Sequence, residues 1–210
     1  MKPHHALAVL ALFCATSAHA DDDIAARVNG TAITTAEVNQ VVKGVISGRG
    51  QAPSSEEIAR LSEAALASLI DLELLNQSAK TRGITISPQQ VDAEIARNRA
   101  RFASPGEYDK AVAATGLSAA ALKAETRKTL AVNTLLSTVV WKDVRVSPEA
   151  VRAYYDQHRE ALAGKTFEAL RPAIEQSLLD DARQQAQQAY VAELRKNAKI
   201  ELPGATPAAK

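Results

Sequence analysis

The spacing of apolar residues along the chain predicts a mainly helical protein. Between residues 34 and 197, apolar side chains recur every three or four positions, which is the period of a helix that buries one face. A serine or threonine, whose side chain can accept a free backbone N–H of the first helical turn, stands before each of these segments except the last. The predicted caps are Thr34, Ser54 or Ser55, Ser87, Ser104, Ser118 and Ser147.

Two of the predicted helices carry wide apolar stripes. The helix predicted over 55–82 carries apolar residues at helical spacing, namely Ile58, Leu61, Ala65, Leu69, Leu72 and Ala79. Four further apolar residues widen this stripe: Leu66, Ile70, Leu74 and Leu75. The helix predicted over 118–141 carries a second stripe that includes Leu136 and Val140. A stripe this wide indicates either burial on more than one side or an open groove. We expect the two helices to face each other.

Strands are predicted at the two ends of the chain. Ile24–Val28 and Thr31–Ile33 flank Asn29-Gly30, and this dipeptide between short apolar runs is the strongest local signal for a β-hairpin. Residues 198–202 (AKIEL) form a last apolar run after the final helix. Because a lone strand leaves backbone groups unpaired, we expect the terminal strand to pair with the hairpin. The predicted fold class is therefore mainly α with a small antiparallel sheet (α+β).

The region between the last two helices is short. The helix that Ser147 caps carries Val151, Tyr154 and Tyr155, and the chain then runs through Ala163-Gly164-Lys165. A turn is predicted at 167–170. Pro172 is expected to restart the last helix, because proline is favoured in a first helical turn.

The first twenty residues predict a cleaved export signal. Lys2 precedes the apolar stretch Ala6–Thr16, which is too short for a permanent helical membrane span, since about 20 residues are needed. Small residues at Ala18 and Ala20 predict cleavage after Ala20. The predicted organisation is a signal at 1–20, one helical domain at 21–202 and a loose tail at 203–210. Within the domain, we expect a front lobe at 21–162 and a returning helix and strand at 166–202.

The remaining composition excludes several classes of function. Cleavage after Ala20 would remove the only cysteine and leave 24 basic and 24 acidic residues, so no net charge favours nucleic acid or an anionic membrane. At most, the protein would be peripheral to a membrane. The sequence contains no phosphate-binding glycine loop, no nucleophile elbow and no zinc motif, and it predicts no cofactor and no metal. The one histidine of the mature chain, His158, is interpreted as a surface residue.

The order of these segments resembles the SurA/PrsA group of exported chaperones, which carry parvulin-type prolyl isomerase domains. Five stretches support the resemblance: ARVNGTAITTAEVNQ, ASLIDLELLNQSAKTRGITISPQQVDAEI, GLSAAALKAETRKTLAVNTLL, VRVSPEAVRAYYDQHREAL and FEALRPAIEQSLL followed by AYVAELRKNAKIEL. The resemblance implies a SurA-N-like helical lobe to which the last helix returns. In that family a complete isomerase domain stands at the position where this chain has only the short linker between Leu162 and Phe167. No catalytic residue is therefore predicted.

The resemblance implies a periplasmic holdase that binds apolar segments of unfolded exported or outer-membrane proteins. The candidate client-binding residues are Leu69, Leu72, Leu136, Trp141, Tyr154 and Tyr155, the aromatic ones on the condition that they are exposed. Two alternatives stay open at this point. One is a peptidyl-prolyl isomerase with residual or atypical activity, and the other is a dimerising interaction subunit of an export system. Homodimerisation is compatible with the holdase and with the interaction subunit.

Overall fold

The computed structural model describes residues 24–47, 52–162 and 164–203. These residues form seven α-helices and one small sheet of three short strands. The helices are α1 (Thr35–Ile46), α2 (Ser55–Thr81), α3 (Pro88–Arg99), α4 (Pro105–Thr115), α5 (Ala119–Leu135), α6 (Pro148–Gln157) and α7 (Phe167–Lys196). The fold is mainly α with an antiparallel sheet, as the sequence predicts. The predicted signal and most of the predicted tail lie outside the described residues.

The sheet joins the two ends of the described chain. Its strands are β1 (Ile24–Val28), β2 (Thr31–Thr34) and β3 (Ile200–Glu201), in the order β2-β1-β3 and all antiparallel. Val28 pairs with Thr31 on one side and with Ile200 on the other. The predicted pairing of the terminal strand with the hairpin is confirmed.

The hairpin turn has the backbone geometry that its dipeptide predicts. Asn29 and Gly30 both have positive φ values, 51° and 85°, as a two-residue turn that matches the twist of its strands requires. Asparagine and glycine tolerate this left-handed region better than other residues. The turn therefore fixes the register of β1 and β2.

The predicted caps set the helix starts. Thr34 accepts the backbone N–H of Glu37, whose carboxylate accepts the N–H of Thr34 in return, so that the capping box is complete. Ser54, rather than Ser55, caps α2. Thr166 caps α7 in the same way. The other predicted serines each accept the backbone N–H of the residue three positions further on, and these serines are Ser87, Ser104, Ser118 and Ser147.

Two helix boundaries differ from the prediction. Helix α7 begins at Phe167 and continues through Pro172, so the predicted turn at 167–170 is wrong. Thr166 supplies a cap that the sequence reading overlooked, and Pro172 costs the helix one backbone hydrogen bond near its start. Helix α5 ends at Leu135 and is followed by a π-helical turn at Leu136–Val140, in which the N–H of Trp141 bonds the carbonyl of Leu136 at 2.8 Å.

Three buried clusters hold the elements together. The first joins the sheet, α1 and the first two thirds of α2 through Ala26, Val28, Ile33, Val38, Val42, Ala65, Ile70 and Leu74. The second joins the end of α2, α5 and the end of α7 through Leu75, Ala79, Ala131, Val132, Leu135, Leu136 and Val191. The third joins α6 to the start of α7 through Val151, Tyr155 and Ile174. Because α7 contributes to the second and third clusters, it links the two ends of the molecule.

Candidate functional site

The six predicted client-binding residues do not form one surface. Leu69 packs against the first cluster, Leu136 lies in the second, and Tyr155 lies in the third. Leu136 and Tyr155 are buried at 5% and 8% exposure, so neither offers surface to a partner. Burial counts against these two as contact residues, and the sequence could not show this, because a core residue and a groove residue can be of the same type.

The other four residues keep some exposed surface. Leu72 is exposed at 40% on the outer side of α2, and Leu69 is half-buried. Trp141 is half-buried, and its indole Nε1–H donates to the carbonyl of Arg183 at 3.1 Å. Tyr154 is half-buried as well, with its ring stacked on that of His158 at 4.2 Å between ring centres. For these four, a role in binding clients stays a prediction.

The predicted groove between α2 and α5 is occupied by core side chains. Leu75 and Ala79 of α2 pack with Ala131, Val132 and Leu135 of α5 in the second cluster. Alanine at Ala79 and Ala131 allows the two helices to approach closely where these residues pack. The two stripes do face each other as predicted, but they face each other as core.

An open cleft lies instead between α1 and α4. It has a volume of about 570 Å³, and its walls are mostly small or uncharged side chains: Ala36, Asn39, Gln40, Gly44 and Ser47 with Lys43 from α1, and Ala111, Ala114 and Thr115 from α4. One hydrogen bond crosses it, from the Gln40 side-chain amide to the Thr115 carbonyl at 3.3 Å. We call this space the α1–α4 cleft.

Apolar side chains also remain exposed on α1 and at the start of α2. Val41 and Val45 are exposed at 36% and 47%, and they lie on a different side of α1 from the residues that line the cleft. Ile58, in the first turns of α2, is exposed at 41%. Val38 and Val42 fill the buried side of α1, so the four valines form a stripe too wide for the core to cover. The sequence shows this stripe, yet only the structure shows which half is open.

A charged cluster joins α5 to α1 and α2. The Lys128 ammonium donates to Glu125 at 2.8 Å, and this hydrogen bond raises the pKa of Lys128 above its ordinary value. Partial burial opposes the rise, while the negative charges of Glu125, Glu73 and Glu37 add to it. The Lys128 ammonium is thus attracted by carboxylates of α1 and α2 as well as by Glu125 of its own helix.

The described residues contain no arrangement typical of a catalytic centre. His158 is exposed at the end of α6, where its Nδ1 lies 2.8 Å from the Tyr154 carbonyl. Within the described ranges, no cluster of three or more histidine, cysteine or acidic side chains is placed to hold a metal ion. The pKa of Glu193 is lowered by its hydrogen bond to Lys196 and that of Glu149 by its own backbone N–H, which are ordinary helix-surface contacts.

No described helix combines the length and the apolar character that a membrane crossing requires.

Comparison with curated proteins gives several relatives of one name. Foldase protein PrsA of Caldanaerobacter subterraneus subsp. tengcongensis is 28% identical over 161 residues, which covers 71% of this chain and 45% of the relative. Foldase protein PrsA of Clostridium acetobutylicum is 27% identical over 142 residues, covering 61% of this chain and 42% of the relative. The chain thus spans about half the length of the foldases that it matches.

Comparison with solved structures agrees on the fold. A structure from work on the virulence factor PEB4 and the periplasmic protein Cj1289 of Campylobacter jejuni, two structurally related SurA-like chaperones, matches with a TM-score of 0.58 at 13% identity. The match covers 87% of this chain and 99% of that one. The sequence profile described as SurA-like N-terminal domain matches residues 6–136, more than half of the chain. The chain therefore belongs to the SurA-like N-terminal domain family, and its sequence and fold are similar to those of the SurA/PrsA group.

Proposed function

We propose that this protein is a periplasmic holdase that binds apolar segments of unfolded exported or outer-membrane proteins and has no prolyl isomerase activity. The observation that carries the proposal is that α1 is uncovered on two sides: it lines the open α1–α4 cleft, and it leaves Val41 and Val45 exposed on another side. A folded monomer gains nothing from leaving two neighbouring valines in water. A protein that must hold non-native chains gains a binding surface from them.

The physical chemistry of the cleft suits weak and general binding. A buried client side chain contributes roughly 1.5–3 kcal/mol, so a few such contacts give affinity without fixed geometry. Among the described residues that line the cleft, Lys43 is the one cation and none is a carboxylate, so these walls impose little charge selection. Release needs no bound nucleotide, because each contact is individually weak.

The periplasmic location and the absence of isomerase activity are supported by sequence. The predicted signal at residues 1–20 supports export, and outer-membrane biogenesis is the process in which we place the clients. Rotation about a prolyl bond must overcome a barrier of about 20 kcal/mol, which requires a shaped pocket around the amide. Between Leu162 and Phe167, the described residues Gly164, Lys165 and Thr166 form only a turn and the cap of α7.

The test is the suppression of aggregation of an unfolded outer-membrane protein diluted from urea. We expect the wild-type protein to suppress aggregation at a few-fold molar excess, and Val41→Ser/Val45→Ser to weaken client binding about tenfold through lost apolar contact. Leu202→Ser is the matched control, because Leu202 is also 47% exposed but lies beyond β3. Absence of suppression by the wild-type protein at several-fold excess would refute the holdase proposal.

A separate assay addresses isomerase activity. A protease-coupled assay on a proline-containing peptide measures the rate of cis–trans conversion directly. We expect the rate in the presence of the protein to equal the uncatalysed rate. A rate that rises in proportion to protein concentration would contradict the proposal and favour the isomerase alternative.

A further inference from the structure

Helix α6 and the first turns of α7 form a substructure with a core of its own. The third cluster holds it together, with Tyr154, Leu162, Phe167 and Leu178 packed around Val151, Tyr155 and Ile174. The Tyr155 hydroxyl donates to the carbonyl of Lys165 at 2.7 Å and so ties the turn to α6. We call this substructure, residues 146–162 and 164–178, the arm. Because the arm keeps its own core, it can carry a surface independent of the α1–α4 cleft.

A second pocket lies on the arm. Its volume is about 310 Å³, at the lower end of the range of about 300–1,000 Å³ typical of ligand sites, which is room for one large side chain. Val146, Val151 and Phe167 form its apolar floor together with Pro148, and charged side chains form its rim. We call this the arm pocket.

The rim carries two guanidinium groups and one carboxylate. Arg152 is held in place: its Nε donates to Asp156 at 3.1 Å, and its guanidinium lies 4.8 Å from the centre of the Phe167 ring. Within the described part of the chain, the two terminal amino groups of Arg152 make no hydrogen bond. Arg171 and Glu175 likewise have no side-chain hydrogen bond or ion pair among the described residues.

This arrangement selects a particular kind of partner. An apolar floor under two guanidinium groups matches a large apolar side chain that has a carboxylate next to it. The apolar group would cover Val151 and Phe167, and the carboxylate would reach the donors of Arg152 and Arg171, which suit carboxylates better than an ammonium does. A basic neighbour would instead meet two like charges, which the single carboxylate of the lining, Glu175, offsets only in part.

We propose that the arm pocket binds an extended polypeptide segment in which a large apolar residue is flanked by acidic residues. This deepens the proposed function by naming the client chemistry at a second surface, and it rests on that function only in taking a polypeptide as the partner. The α1–α4 cleft would hold apolar segments with little charge selection, whereas the arm pocket would add a preference for acidic neighbours.

The test uses three nine-residue Gly/Ser peptides with a central Asp-Phe-Asp, Lys-Phe-Lys or Asp-Ala-Asp, titrated calorimetrically into the full chain at low salt. We expect Asp-Phe-Asp to bind roughly threefold to tenfold tighter than Lys-Phe-Lys, the range that exposed charge pairs give. Arg171→Glu should reverse this order. Arg101→Glu, an exposed arginine in the α3–α4 loop, is the matched control and should leave the order unchanged.

The outcomes separate this proposal from the function proposed above. Equal binding of the acidic and basic peptides, an unchanged order in Arg171→Glu, or equal binding of Asp-Phe-Asp and Asp-Ala-Asp would each overturn the arm-pocket proposal. The first of these results, combined with aggregation suppression that depends on Val41 and Val45, would leave the holdase function standing. Conversely, if Arg171→Glu reverses the order of peptide affinities but the wild-type protein does not suppress aggregation, the arm-pocket proposal would be supported and the holdase proposal refuted.

Discussion

Asn29 and Lys199, 170 positions apart, are joined by two hydrogen bonds of 2.8 Å. The backbone N–H of Asn29 donates to the carbonyl of Lys199, and the backbone N–H of Lys199 donates to the side-chain oxygen of Asn29. The amide of Asn29 also donates to Gln77 of α2 at 2.8 Å. One residue of the hairpin turn therefore fixes the returning end of the chain to both the sheet and α2.

Replacing Asn29 tests this junction. Asn29→Ala removes two side-chain hydrogen bonds and places alanine at a φ of 51°, so we expect a loss of about 2 kcal/mol in the free energy of unfolding. Asn29→Asp keeps the acceptor for Lys199 and tolerates the positive φ, and it should lose about 1 kcal/mol or less. Urea unfolding followed by circular dichroism measures both values. Equal stability of Asn29→Ala and the wild type would show that the side chain of Asn29 does not hold the junction.

The hairpin, the caps and the meeting of the two chain ends could all be predicted from the sequence because each depends on local chemistry. Asn29-Gly30 can form few other turns, and a serine before an apolar helical period has one common use. Unpaired strands must find partners, which placed residues 198–202 on the hairpin.

The candidate site could be predicted only in part. Leu72 and Leu75 both lie on α2, yet the first is 40% exposed and the second 3%. Which of them is covered depends on how α5 and α7 pack, and apolar periodicity does not encode that choice. The α1–α4 cleft was missed for a related reason: its walls are alanine, glycine and small polar residues, which give no signal in a hydrophobic pattern.

Pro172 offers a test of the α7 prediction that proved wrong. It is the sixth residue of α7, where it cannot donate to the carbonyl of Glu168. We expect Pro172→Ala to raise the free energy of unfolding by about 1 kcal/mol, since the gain in helix propensity exceeds the cost of a more flexible unfolded chain. Thermal unfolding measures the change.

Pro148→Ala is the matched control for this substitution. Pro148 is the first residue of α6, a position where proline is favoured, so its replacement should not stabilise the protein. If Pro172→Ala instead lowers the free energy of unfolding, then α7 has a shape that requires the proline. The packing of Ile174 in the third cluster would then depend on that shape.

Lys128 predicts a specific response to alkaline pH. Its hydrogen bond to Glu125 raises its pKa above the ordinary 10.5, so the folded state binds this proton more tightly than the unfolded state does. The resulting stability is present in full below pH 10.5 and is lost as pH rises through the higher pKa of the folded state. Because much of this side chain is exposed, the contribution is below about 1 kcal/mol.

The measurement compares Lys128→Met with the wild type by urea unfolding at several pH values. The variant should be less stable at pH 7, and the difference should shrink above pH 10.5. Lys110→Met, at an exposed position of α4, is the control for replacing a surface lysine with methionine at the same pH values. A difference between Lys128→Met and the wild type that stays constant with pH would assign the effect to packing of the lysine stem rather than to its charge.

Gly44 allows the α1–α4 cleft to be altered without touching the core. It is exposed in α1, lines the cleft, and a Cβ added there meets no atom within 4 Å. Gly44→Ala should therefore raise the free energy of unfolding by about 0.5–1 kcal/mol, as expected for glycine inside a helix, while aggregation suppression stays intact.

Gly44→Gln should be at least as stable as the wild type, but its long polar side chain would fill the cleft and weaken suppression severalfold, since each excluded client side chain forfeits about 1.5–3 kcal/mol. Thermal unfolding and the aggregation assay on the same two variants separate the two effects. Full suppression by a stable Gly44→Gln would place client binding somewhere other than this cleft, because the space would then be closed without consequence.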